Sequence, residues 1–108
     1  MVERIKLTEL LKEFRTGLET VYGSQLKGLY LFGSYARGEQ DEESDVDMLV
    51  VVNDFESYYA EIHRTGQLMS DLSLKYSVTL CEVFIKEADW RHGDTPFLMN
   101  VRSEAIAA

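Results

Sequence analysis

The run Met48-Leu49-Val50-Val51-Val52, entered through Asp45-Val46-Asp47, constrains this chain more than any other feature. A nearly continuous β-branched and apolar run from Val46 to Val52 reads as a strand buried on both faces. Residues i and i+2 of a strand project from the same face. Asp45 and Asp47 therefore converge at the head of that strand. Two carboxylates so close repel unless a cation or a proton offsets them. Mg²⁺ suits such a pair, because it takes one or two carboxylates together with phosphate oxygens. Taken alone, the same two residues also fit solvated acids at a strand end.

A second apolar run stands just upstream. Leu26 to Phe32 is short and aromatic, and reads as a strand that runs into Gly33-Ser34. Gly33 has no side chain, so a phosphate could approach its backbone closely. Ser34 adds a hydroxyl, and a helical turn over Ser34 to Arg37 would point its first N–H groups at an anion. Alone, Gly-Ser is equally an ordinary tight turn. The loop from Gly33 to Glu43 then leads to the aspartates.

The remaining pattern surrounds these two strands. Leu7, Leu10, Leu11, Phe14, Leu18, Val21 and Tyr22 recur at helical spacing and predict a first helix over Thr8 to Tyr22, stopped at Gly23. Tyr58, Tyr59, Ile62, Gly66, Met69, Leu72 and Tyr76 predict one helix from Phe55 to Tyr76, with Asn53-Asp54 as its cap and Gly66 where another element packs closely. Val78 to Ile85 predicts a third strand. Asp94-Thr95-Pro96 predicts a cap with Pro at the first helical position, before a short helix carrying Phe97, Leu98 and Val101. The order is α-β-(turn)-β-α-β-α around one sheet, an α/β (α+β) chain.

Composition narrows the partners. The 108 residues fit a single domain over 1–108, and 45% hydrophobic with 28% charged residues fits a soluble globular protein. No apolar run approaches the roughly 18–20 residues of a membrane span, and the N-terminus lacks a signal-peptide core. Cys81 is the sole cysteine, which excludes an internal disulfide and cysteine-clustered zinc; a cytoplasmic protein is the simplest expectation. The formal net charge is −8, with acids gathered from Glu39 to Asp47 and no basic stripe. DNA or RNA is not the expected partner. A nucleotide remains compatible, because Mg²⁺ bridges carboxylates and phosphates.

The joint pattern is more specific than its parts. Gly-Ser, ten residues, then Asp-x-Asp arises by chance in roughly one chain of this length in several hundred. Gly33-Ser34, the Ala36-Arg37-Gly38 insert, Ser44 and Asp45-x-Asp47 together resemble the signature of the polymerase-β-type nucleotidyltransferase superfamily. The short length and the wording Phe32-Gly-Ser-Tyr-Ala-Arg-Gly38 resemble its minimal nucleotidyltransferase (MNT) branch, found in HEPN/MNT toxin–antitoxin pairs.

The resemblance implies a small mixed β-sheet with helices packed mainly on one side. It implies nucleotide bound by Gly33 and Ser34, with Arg37 and Ser44 nearby, and metal held by Asp45 and Asp47. It implies Mg²⁺-dependent transfer of AMP from ATP to a hydroxyl, with pyrophosphate leaving. Superfamily members usually carry a third carboxylate on a later strand. Glu82, the only acid between Val78 and Ile85, is the candidate here, although an exposed strand Glu fits as well. Arg37 fits two roles equally: a triphosphate contact, or an ion pair with Glu39 or Asp41 that orders the loop. His63, His92 and Cys81 read as structural residues.

The resemblance further implies a small helical HEPN-type toxin as partner, with this chain as its antitoxin and a tyrosine of the toxin as acceptor. Assembly with that partner, or with a second copy, is compatible with the sequence. The alternative is an MNT-like module of little or no activity that neutralises its partner by masking it.

Overall fold

A computed structural model describes residues 3–108. The amphipathic N-terminal segment forms α1 (Arg4–Tyr22), which buries Leu10, Phe14, Leu18 and Tyr22 along one stripe. Gly23 ends it with φ 54°, a backbone conformation that only glycine adopts freely, and its N–H bonds back to the Glu19 carbonyl. A short 3₁₀ turn leads into β1 (Leu26–Phe32). One helical turn, α2 (Ser34–Arg37), and a polar loop precede β2 (Val46–Val52).

β2 is antiparallel to β1 and parallel to β3 (Leu80–Lys86), and the sheet order is β3-β2-β1-β4. The central position of β2 explains its unbroken apolar run. Val46, Met48, Val50 and Val52 face the larger core with Leu29, Leu31, Leu80, Phe84 and the α1 stripe. Leu49 and Val51 face a smaller core with Val101, Tyr30, Phe32, Val83, Ile85 and Trp90. Helices lie mainly on the first face. The second is covered in part by α5 (Glu87–His92) and α6 (Pro96–Glu104). Among the described residues no helix is long and apolar enough to cross a membrane.

Several details differ from the sequence expectation, among them α1 beginning at Arg4 instead of Thr8 and β3 spanning Leu80–Lys86 instead of Val78 to Ile85. The helix expected over Phe55 to Tyr76 is two helices, α3 (Tyr58–Arg64) and α4 (Gly66–Tyr76), broken at Thr65. Its cap is Ser57, whose hydroxyl oxygen accepts from the Ala60 N–H at 3.2 Å, not Asn53-Asp54. Gly66 is not a point of close approach, since a Cβ there would meet nothing within 4 Å. The close approach is at Gly17 of α1, where a Cβ would run into Leu68 of α4. Finally, α5 and a two-residue β4 (Ile106–Ala107) are additional elements, β4 pairing antiparallel with β1. Thr95 and Pro96 do start α6, with the Thr95 hydroxyl accepting from the Leu98 N–H. Arg102 then caps α5 from outside, donating to the Trp90, Gly93 and Asp89 carbonyls. A cation at a helix C-terminus is favourable, so one side chain locks α5 to α6.

The register of β3 also decides where Glu82 lies. Glu82 stands opposite Met48, and Cys81 stands opposite Asp47. Neighbours in register share a face. Glu82 thus points into the larger core, on the opposite side of the sheet from Asp45 and Asp47. It is not placed to serve as their third carboxylate. It meets the break between α3 and α4 instead, with Thr65 Oγ1 2.5 Å from Glu82 Oε1. The other oxygen, Oε2, is buried without a partner among the described residues. Burial pushes the Glu82 carboxyl up to about 7, against a smaller downward pull from the Thr65 hydroxyl. Proton counting agrees. The Thr65 hydroxyl also sits 3.1 Å from the Glu61 carbonyl and has one proton to give. A neutral Glu82, able to donate in turn, satisfies both contacts.

This has a pH consequence. The folded-state pKa of Glu82, about 7, lies above its ordinary value of 4.5. Between those values the unfolded chain releases a proton that the folded chain keeps. Stability therefore falls as pH rises through this window, and the full cost is present above it. The expected loss is about 1–3 kcal/mol, scaled down from about 1.4 kcal/mol per pKa unit because the site is partly solvated. Glu82→Gln should flatten this slope and exceed wild type in stability at pH 8, as read by urea denaturation at pH 5 and pH 8.

Candidate functional site

The site forms where β1 ends and β2 begins. Phe32 pairs with Asp47, so the turn after Phe32 lies beside the Asp47 carboxylate. Gly33 takes φ 76°, and a Cβ on it would overlap Asp47 Oδ2. Glycine is required twice over: for the left-handed backbone and for the space that the carboxylate fills. The Gly33 carbonyl accepts from the Ala36 and Arg37 amides at 3.1 and 3.2 Å, which winds α2 directly out of the turn. The first amides of such a turn have no partner within it. Gly33, Asp45 and Asp47 are thus brought together at the head of β2, with Ser34 next in the turn.

Charge at this spot is unbalanced. Burial, and next the neighbouring Asp45 carboxylate, raise the Asp47 carboxyl above its usual range; Arg37 pulls it down, and Glu104 pushes it up again. The pair is one that a divalent cation would relieve. Hard carboxylate oxygens on one face, beside the first amides of the α2 turn, fit Mg²⁺ carried by a nucleotide. Asp45 and Asp47 would hold that ion.

The other expected site residues are engaged within the chain. The Arg37 guanidinium bonds to Glu39 at 2.6 Å and to Glu104 at 2.8 Å, tying the α2 turn to the end of α6. Arg37 thus makes the loop-ordering ion pair expected with Glu39, and pairs with Glu104 in place of Asp41. Ser44 orders the loop as well: its hydroxyl accepts from the Asp41 N–H at 2.9 Å, and its own N–H donates to the Asp41 carbonyl at 3.2 Å.

Two residues at the site were not expected there. Glu104 reaches it from α6. Cys81, opposite Asp47, lies with Sγ 3.6 Å from Asp45 Oδ2. Burial, followed by the Asp45 charge, raises the Cys81 thiol. Strict alternation along β3 already separated Cys81 from Glu82. The missing signal was the register that sets one of them beside Asp47.

A mixed sheet thus sets a glycine turn beside two aspartates at adjacent strand ends, an arrangement suited to a phosphate and its cation. Comparison with known proteins agrees. Residues 11–99 match the family model described as "Nucleotidyltransferase domain", and the chain belongs to that family. The chain is 36% identical over 83 residues to a Methanocaldococcus jannaschii protein named "Putative protein adenylyltransferase MJ0141", covering 77% of this chain and 83% of that one. It resembles in fold a Sulfolobus solfataricus crystal structure described as "a putative nucleotidyltransferase", with TM-score 0.68 at 18% identity, over 95% of this chain and 79% of that one. It also resembles a toxin–antitoxin structure with AMP-PNP, with TM-score 0.61 at 25% identity, over 89% of this chain and 69% of that one. A third fold neighbour is an MNT antitoxin in complex with tri-AMPylated Shewanella oneidensis HEPN toxin, with TM-score 0.55 at 19% identity, over 93% and 66%.

Gly33→Ala should cost about 1–3 kcal/mol in stability, since it introduces both backbone strain and a clash. It should also weaken binding of an ATP analogue at least tenfold. Urea denaturation and calorimetric titration check the two effects separately.

Proposed function

We propose that this chain transfers AMP from ATP to a hydroxyl of a partner protein, and that it acts as the antitoxin of a HEPN-type toxin modified on tyrosine. The observation that carries the reading is the Asp45–Asp47 pair facing the Gly33–Ser34 turn on one sheet face. The relative named for protein adenylylation and the neighbours solved with AMP-PNP and with an AMPylated toxin support it.

In this reaction the acceptor oxygen bonds to the α-phosphorus, the bond from that phosphorus to the bridging oxygen breaks, and pyrophosphate leaves. The hydroxyl proton passes to solvent. Mg²⁺ bound with the nucleotide would supply charge stabilisation at the phosphates. Asp45 and Asp47 hold the cation side of the site. Gly33 admits the phosphates to the backbone, and Ser34 offers a hydroxyl and an amide. Catalysis by such a site rests on positioning and electrostatics. Net charge −8 and the acidic loop from Glu39 to Asp47 complement a basic, RNA-binding partner. An added adenylate would block RNA by charge and volume.

A second reading is favoured by one observation. Arg37 and Ser44 are engaged within the chain, and Glu82 lies on the other face, as a masking module with a reduced site would have it.

Labelled ATP, Mg²⁺ and the candidate HEPN-type partner separate the two readings. Wild type should label the partner, and Asp45→Asn or Asp47→Asn should lower labelling by about 10²–10³-fold with the fold intact, the scale of losing a main electrostatic group. Tight complexes without label from either form would leave only masking.

A further inference from the structure

Cys81 is the side chain of β3 that stands beside the aspartates. It pairs in register with Asp47, shares its face, and has Sγ 3.6 Å from Asp45 Oδ2. Among the described residues no further carboxylate completes the group. Glu82 is on the opposite face, and the Glu104 carboxylate is held by Arg37 at 2.8 Å. Among the described residues no set of three acidic, cysteine or histidine side chains is arranged to hold a metal.

Ligand chemistry gives this arrangement a meaning. Two divalent ions in one phosphoryl-transfer site lie about 3.5–4 Å apart and need shared anionic oxygen ligands. Mg²⁺ and Mn²⁺ take hard oxygen donors, whereas sulfur suits softer metals. A thiol between the two aspartates contributes neither the charge nor the oxygen. We propose that Cys81 limits the Asp45–Asp47 pair to a single divalent cation, the one that arrives with the nucleotide, where a carboxylate at this position would admit two. The inference rests on the nucleotidyl-transfer reading above.

The test counts ions instead of turnovers. Wild type, Cys81→Asp and Cys81→Ser are each titrated with Mn²⁺ in the presence of a non-hydrolysable ATP analogue, and free Mn²⁺ is read from its electron paramagnetic resonance signal. Near-UV circular dichroism checks each fold. Wild type and Cys81→Ser should bind one ion per protein, and folded Cys81→Asp should bind two. Two ions on wild type overturn the inference, and this arm decides even where Cys81→Asp does not fold. One ion on folded Cys81→Asp overturns it too. Failure of the underlying reading looks different: no form binds Mn²⁺ with nucleotide, and no AMP is transferred. In that case the inference falls with it.

Discussion

The parallel register of β2 against β3, together with the alternation of β2 between two faces, is what the rest of the molecule depends on. Met48 and Glu82 go to the helix-covered side, and Asp47 and Cys81 go to the other. A shift of one residue would send the aspartates into the larger core and the valines to the open face. The core therefore fixes the chemistry. Val46, Met48, Val50 and Val52 are each nearly fully buried, so the register cannot slip without exposing them. β1 supplies the other half of the arrangement, since its pairing with β2 brings Gly33 over Asp47.

Two carboxyl groups with raised pKa values sit on opposite faces of the same sheet, for different physical reasons. Asp47 is raised by burial together with a like charge beside it. Glu82 is raised by burial alone, in a core where one hydroxyl has to serve two acceptors. The first arrangement invites a cation. The second invites a proton and ties the α3–α4 break to the sheet. Such perturbed groups cluster at functional sites, yet structural groups show them too. Here the sheet face separates the two cases.

Much of this was legible in the chain itself. The 3.6-residue period gave α1, and the apolar runs gave β1 and β2 with bounds that match the structure. Gly33, Ser34, Asp45 and Asp47 followed from local spacing, because the turn and the strand head are local. What escaped was long-range. The position of Glu82 needed the β2–β3 register, which nothing within β3 encodes. Glu104 and Arg37 meet across 67 positions. The break between α3 and α4 falls at Thr65, the residue that contacts Glu82 of β3, a tertiary contact that the helical period running through it does not show. Gly66 drew attention by its residue type, while the packing needed the glycine at position 17.

On this reading one sheet face, bearing Asp45, Asp47 and the Gly33 turn, receives the nucleotide and its cation. Anomalous diffraction from crystals grown with Mn²⁺ and a non-hydrolysable ATP analogue tests it most directly. The account predicts an anomalous peak in contact with the Asp45 and Asp47 carboxylates, with the phosphates against Gly33 and Ser34. An anomalous peak at Glu82, or nucleotide bound away from the Gly33 turn, would contradict it.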